Sequence, residues 1–276
     1  MTMKLEIEKV SNCISTASGG TRTGIKFSRP WQTDIVVDPA VCPFETKEEA
    51  EIPGFRKEHG WRFLGNKYTP FPFHRLIVPE TCWPKERLRV LGGEDEIGSA
   101  FRIVQDVLLG EARELWLGIH IGPSAGQNIA HAHYHLLEPL ERMWPELQGD
   151  ITVHFKDSPN VLFKGSQLRA VVGGCRSGQC FIVPENDSMT LTSETAREIA
   201  SLLSRIINLY SKKFKSTQGL PPDYIVGFKF SGLKVQYGFY IPILHNWGFV
   251  EYFGMLEGTP FILPWSHKET LGHLIS

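Results

Sequence analysis

Three histidines recur at alternate positions of one short stretch, His131-Ala132-His133-Tyr134-His135. Successive side chains of an extended strand point to opposite faces, so in a strand all three imidazoles emerge on one side. Ala132, Tyr134 and Leu136 take the other side. Just upstream, Gly122-Pro123-Ser124-Ala125-Gly126-Gln127-Asn128 is small, polar and turn-forming, the kind of segment whose backbone N–H groups approach an anion. A neutral imidazole nitrogen is nucleophilic near neutral pH, and the phosphoramidate it forms can pass its group onward. Donors are then needed for the charge on the transferring phosphoryl oxygens. The backbone around Gly126, Gln127 and Asn128, the Asn128 side chain and His135 are the candidates. The pattern thus points to phosphoryl or nucleotidyl transfer through a histidine. A satisfied histidine cluster or a simple metal site is the plainer alternative.

Several elements must position that strand. The first 40 or so residues, including Arg29-Pro30-Trp31-Gln32, read as an irregular arm, and residues 41–57 as loop. Strands are predicted over 61–64 and 74–78, ending at Pro79. Apolar residues at Ile97, Phe101, Ile103, Val104, Val107, Leu108 and Leu109 predict an amphipathic helix over 95–114. A strand over 115–121 then leads into the glycine loop. The order recurs in the second half: Cys180-Phe181-Ile182-Val183-Pro184-Glu185 echoes Arg75-Leu76-Ile77-Val78-Pro79-Glu80. A helix over 193–209 follows, then strands over 224–228 and 236–242. Strand, helix, strand, strand occurs twice, which predicts a tandem duplication divided as 1–150 and 151–276. The second copy carries Tyr237-Gly238-Phe239 in place of the histidine strand, so the chemistry is expected in the first.

Bulk properties exclude several classes. Net charge is -1 and 42% of residues are hydrophobic, an ordinary globular balance without the basic footprint of a nucleic-acid or anionic-membrane binder. No run approaches a bilayer-spanning length, and the N-terminal residues lack a signal-peptide layout. The cysteines number five. An odd, scattered set in such a chain reads as thiols or metal ligands, and the expected location is cytoplasmic.

The histidine strand, its upstream glycine loop and the preceding helix resemble the histidine-triad superfamily, and the two-copy layout resembles its galactose-1-phosphate uridylyltransferase branch. Asp38-Pro39-Ala40-Val41-Cys42-Pro43-Phe44-Glu45 is similar to that branch's Cys-Pro-Phe-Cys segment, with Glu45 at the second cysteine. Asn66-Lys67-Tyr68 is similar to its nucleoside-contacting Asn-Asp-Phe. The stretch from Tyr240 to Glu257 looks like its sugar-contacting segment. The resemblance implies an α+β fold of two tandem repeats, antiparallel half-barrel sheets with flanking helices. It implies a homodimer, His133 as the nucleophile that carries the nucleotide, and Glu257 as an acceptor-binding carboxylate. It also implies a zinc site drawn from Cys42, Cys82, His131 and Glu45, a sulfur, nitrogen and oxygen set that suits Zn²⁺. The branch's second metal site is expected to be absent, because Tyr237-Gly238-Phe239 offers no ligands for it.

Two departures bear on the reaction. The transferases and phosphorylases of this branch usually carry glutamine where this chain has His135, and histidine there is the pattern of the hydrolases. Glu251 stands where the family has a lysine. The expected activity is transfer of a nucleoside monophosphate from a nucleotide sugar or related diphosphate to phosphate or a phosphorylated acceptor. Hydrolysis through the same intermediate and a non-catalytic nucleotide-binding module are the alternatives. His74, His154 and His245 read as isolated structural histidines, and Cys175 to Cys180 as a turn between strands.

Overall fold

In a computed structural model the described residues are 6–10, 22–26, 56–58, 60–66, 72–80, 93–110, 113–122, 125, 127, 132–138, 158–173, 178–186, 189–214, 221–243, 271–272 and 274–276. The strands are β1 (Glu6–Val10), β2 (Arg22–Lys26), β3 (Arg56–Glu58), β4 (Trp61–Gly65), β5 (His74–Pro79), β6 (Glu114–Ile121) and β7 (Tyr134–Leu137), followed by β8 (Val161–Lys164), β9 (Leu168–Val172), β10 (Cys180–Pro184), β11 (Met189–Thr190), β12 (Asp223–Ser231) and β13 (Lys234–Ile243). Two long helices are α1 (Glu94–Leu109) and α2 (Ser193–Lys213). The fold is α+β, built on a large antiparallel sheet.

Three expectations change. The N-terminal arm contains an antiparallel pair, β1 with β2, because Glu6 to Val10 and Arg22 to Lys26 are in register for a ladder. β3 lies at the end of the stretch expected to be loop. The anticipated two sheets are one eleven-stranded sheet, in order β3-β4-β5-β7-β6-β12-β13-β10-β9-β8, with β11 on β13. The junction is the β6–β12 ladder, which runs from Tyr224↔Ile121 to Ser231↔Glu114 and pairs Gly227 with Gly118 at its middle. Joining the halves there satisfies backbone groups that two separate sheets would leave as open edges.

Strand order and pairing are the same read inward from either end. Asn66 donates its N–H to the carbonyl of His74 at 3.1 Å, as Gly173 does to Gln179 at 3.0 Å. Likewise Glu80 donates to Gly60 at 2.9 Å, as Glu185 does to Gln167 at 2.8 Å. β5 pairs Arg62 with Val78, and β10 pairs Arg169 with Val183.

Both helices lie against one face of the sheet. Helix α1 buries Ile97, Phe101, Val104 and Leu108, and α2 buries Ile199, Leu203, Ile206 and Tyr210. These pack in one core with Leu115, Leu117, Ile119 and Ile121 of β6, the alternation expected of a half-covered strand. The helices meet at Gly98, where an added Cβ would stand 3.9 Å from the Cβ of Ala200. Helix α1 starts with Glu94, Asp95 and Glu96 in its first turn, carboxylates that favour the positive end of the helix dipole. It stops at Gly110, earlier than the apolar pattern predicted, so that Glu114 opens β6. Thr192 caps α2 by accepting the Thr195 N–H at 3.2 Å. The opposite face of the sheet carries a second cluster that includes Trp116, Phe181, Ile225, Tyr237 and Phe239. The histidines stand on this face.

Candidate active site

Register alone puts the reactive side chains on one surface. β6 and β7 pair Gly118 with His135, β5 and β7 pair Leu76 with His135, and His74 pairs with Leu137. Residues directly opposite one another share a face, so His74, Leu76, His135 and Gly118 face the same way. Alternation adds His120 from β6, and Arg62 and Leu64 from β4. β7 begins only at Tyr134, so His133 stands just ahead of the ladder. Its ring nevertheless lies 4.8 Å from that of His135, edge to face.

Two histidines join them. The Nε2 of His74 is 2.9 Å from the Nδ1 of His135, with ring centroids 5.1 Å apart. The ring of His120 stands 6.4 Å from that of His135. His74 is therefore part of the cluster, a correction to its reading as an isolated structural residue. Its contact with His135 spans 61 positions of sequence, so no local pattern announces it. His120 carried one signal: it alternates with Gly118 on the strand entering the glycine loop.

These contacts constrain the protons. His120 Nδ1 lies 2.6 Å from the carbonyl of Ala125. A carbonyl only accepts, so that nitrogen carries the hydrogen. The Asn66 amide nitrogen, a donor, lies 3.4 Å from each nitrogen of the His74 ring. With Asn66 donating to His74 Nδ1, the His74 proton sits on Nε2 and is donated to His135 Nδ1. His135 then holds its own proton on Nε2. The orientation of the Asn66 amide and the tautomers are assigned from this network. In that arrangement His135 Nε2 is a hydrogen-bond donor.

The glycine loop folds back on itself beside the cluster. Gly122 has φ 92°, a left-handed conformation that favours glycine. An added Cβ there would stand 2.0 Å from Asp223 Oδ1. The Gly122 carbonyl accepts the N–H groups of Ala125 at 3.1 Å and Gln127 at 3.2 Å. The Gly122 N–H donates to Gln127 Oε1 at 2.7 Å, while Gln127 Nε2 is buried without a hydrogen-bond partner. One expected phosphate contact thus braces the loop through its oxygen and keeps an unused donor on its nitrogen.

Of the expected site residues, His133, His135, Asn66 and Gln127 lie within the described residues. His131, Lys67, Tyr68, Gly126, Asn128, Cys42, Glu45, Cys82 and Glu257 lie outside them, as do His154, His245 and Cys175. Among the described residues no group of three or more His, Cys, Asp or Glu is arranged to hold a metal ion. Cys180 opens β10. Burial pushes its thiol up to about 12, against the opposing effect of its hydrogen bond with Tyr210, whose Oη lies 3.1 Å from the sulfur. Such a thiol is inert. No helix among the described residues is long and apolar enough to cross a membrane.

No protein-family model and no curated protein matches the sequence. Solved structures do match. An ADP-glucose phosphorylase from Arabidopsis thaliana, solved with bound ADP-glucose, superposes with a TM-score of 0.62 at 16% identity, covering 99% of this chain and 98% of that one. A GalT-like protein of the same organism gives a TM-score of 0.62 at 17% identity, over 84% of this chain and 91% of that one. A uridylyltransferase gives 0.59 at 16% identity, over 90% and 91%. At such identities the likeness is one of fold: the chain shares the fold of these GalT-like, phosphorylase and uridylyltransferase structures.

Proposed function

We propose that the chain is a nucleotidyltransferase that carries a nucleoside monophosphate on His133. The observation that carries this reading is the packed imidazole group, His133 against His135 at 4.8 Å and His135 hydrogen-bonded to His74 at 2.9 Å. A ring nitrogen of His133 attacks the α-phosphorus of a nucleoside diphosphate compound, and the bond from phosphorus to the leaving phosphate oxygen breaks. An oxygen of phosphate or of a phosphorylated acceptor then attacks the same phosphorus, the P–N bond breaks and His133 is regenerated. His135 and the Gln127 amide supply hydrogen bonds to the phosphoryl oxygens, where preorganised donors act most strongly. Neighbours of the same fold include the ADP-glucose phosphorylase and a yeast Ap4A phosphorylase in complex with Ap4A, both in keeping with a nucleotide ligand.

Hydrolysis is the second reading, and His135 favours it, because an imidazole at that position can move a proton that an amide cannot. Incubation with α-labelled nucleotide sugars and dinucleoside polyphosphates separates the two. An acid-labile label on the protein that disappears in His133→Ala is expected. Product that requires phosphate or a sugar phosphate marks transfer, whereas free nucleoside monophosphate in plain buffer marks hydrolysis. Nucleotide binding without label or turnover would overturn both.

The rest of the reading goes with this one. We take the halves 1–150 and 151–276 as tandem copies, a view supported by their matching strand order and hydrogen bonds. Asn66, Lys67 and Tyr68 would meet the nucleoside, Gly126 and Asn128 the phosphate, and Glu257 the acceptor. Zinc on Cys42, Cys82, His131 and Glu45 is proposed from its donor set, and no step above passes through it. Elemental analysis of wild type and Cys42→Ser tests the metal, and light scattering tests the homodimer.

A further inference from the structure

Arg62 is 8% exposed, and its Nε and Nη2 are buried without a hydrogen-bond partner among the described residues. A guanidinium stays charged at any physiological pH, and a buried charge with nothing opposite it is costly. The other half of the sheet places a carboxylate near the equivalent arginine. Arg169 occupies the same place on β9 as Arg62 on β4, each paired with the valine of a Val-Pro-Glu sequence. Arg169 stands 4.0 Å from the carboxylate of Glu185. Among the described residues Arg62 has no such pair, and the corresponding glutamate, Glu80, is exposed. The carboxylate that answers the arginine in one half does not answer it in the half that holds the histidines.

Arg62 also stands on the histidine face. Its partner on β5 is Val78, one residue beyond Ile77, which pairs with Tyr134. Arg62 thus pairs with the β5 residue that follows the Ile77–Tyr134 pair, on the side where His133 stands just ahead of β7. Asn66 lies four residues further along β4, about 13 Å at ordinary strand rise, and His74 is in its row.

Resting on the reading of His133 as the nucleotide carrier, we propose that Arg62 is the subsite for a phosphate group that is not transferred. That group is either the phosphate that leaves with the rest of the donor or the one that accepts the nucleotide. The nucleoside then lies toward Asn66, the α-phosphorus at His133 and the second anion at Arg62. A planar guanidinium binds phosphate oxygens in bidentate fashion, and the ligand supplies the counter-charge that Glu185 supplies to Arg169.

The test is calorimetric titration of the full chain with inorganic phosphate, pyrophosphate, ADP, UDP, AMP and UMP, in wild type, Arg62→Met and Arg62→Lys. Arg62→Met is expected to bind phosphate, pyrophosphate or the diphosphates about 10- to 100-fold more weakly, with affinity for the monophosphates within about twofold. It is expected to unfold at the same or a higher temperature than wild type in phosphate-free buffer, because it removes an unpaired buried charge. Should the Met variant not fold, Arg62→Lys keeps the charge without the fork and is expected to show a smaller loss of the same kind. A loss confined to phosphate assigns the subsite to the acceptor, and one confined to diphosphates assigns it to the leaving group. Equal affinities in all three proteins, or no binding of phosphate or pyrophosphate by wild type, would overturn the proposal. If labelling of His133 fails while the dependence on Arg62 persists, the anion subsite stands and the transferase reading falls. If labelling succeeds and Arg62 has no effect, the reverse holds.

Discussion

The two halves of the sheet share the order of their main strands and a helix each, yet among the described residues the histidine cluster lies in one of them. At the centre Gly118 pairs with Gly227. On one side the next residue in the row is His135, on the other Phe239. The Phe239 ring closes down on Gly227, where an added Cβ would stand 2.3 Å from it. At Gly118 the nearest atom to such a Cβ is the Val226 carbonyl oxygen at 3.9 Å. The floor beside the histidines is open and the same floor in the other half is filled. Tyr237 and Phe239 are 2% and 3% exposed, whereas His133 and His135 are half-buried. Similar strand arrangements therefore hold half-buried histidines in one half and packed aromatic rings in the other, and a few side chains make the difference.

The sharpest way to break the contrast is His133→Ala, which on this reading lowers turnover on the order of 10⁴-fold or more and abolishes the protein-bound label. His135→Phe gives the active half the ring of its counterpart. A loss of about 10² to 10⁴ in kcat is expected, with folding preserved, as measured by steady-state kinetics beside circular dichroism. A pair of alanine substitutions should separate stability from function. Gly227→Ala forces a methyl into the Phe239 ring and is expected to cost about 1 to 3 kcal/mol in urea unfolding while sparing nucleotide binding. Gly118→Ala meets no atom closer than 3.9 Å, so its expected effect is the opposite, weaker binding with little change in stability. Equal destabilisation by both would remove the distinction between the open and the filled floor.

The smallest effect concerns the second half alone. Glu198 of α2 accepts hydrogen bonds from the backbone of Gln167 and Leu168 at 2.9 Å and from the Ser166 hydroxyl at 2.8 Å. Burial alone would push its carboxyl up, but these bonds outweigh it and hold the carboxyl below the usual range. A depressed folded-state value means that the stabilisation is present above the unfolded value, near 4.3 for glutamate, and is lost as pH falls through the folded value. Glu198→Ala should lower stability by about 1 kcal/mol at neutral pH, given its partial exposure, and by less in acid. A constant difference between pH 7 and pH 3 would show that the carboxylate contributes nothing by its charge.

Much of this was legible in the chain. The period of Ile97, Phe101, Val104 and Leu108 foretold α1, and Gly110 fixed an end that the apolar pattern overran. The echo of Leu76 to Glu80 in Phe181 to Glu185 reappears residue for residue, since Leu76 pairs with His135 and Phe181 with Phe239. His74 was misread because its significance lies in a partner 61 residues away, and nothing local separates it from a buried polar residue such as Gln179. The N-terminal strands were missed for a related reason. Glu6 to Val10 is charged and short, and only pairing with Arg22 to Lys26 makes it a strand.

What the amino-acid sequence determined by itself is what local periodicity and backbone chemistry dictate: alternate histidines on one face, a glycine such as Gly122 where the loop takes a left-handed φ, and helices amphipathic enough to cover a sheet. Tertiary structure alone decided which histidines touch, which arginine finds its glutamate, and whether a glycine floor is open or filled. Those outcomes depend on cross-strand register and on the side chain one strand away. Residues adjacent there are tens of positions apart along the chain.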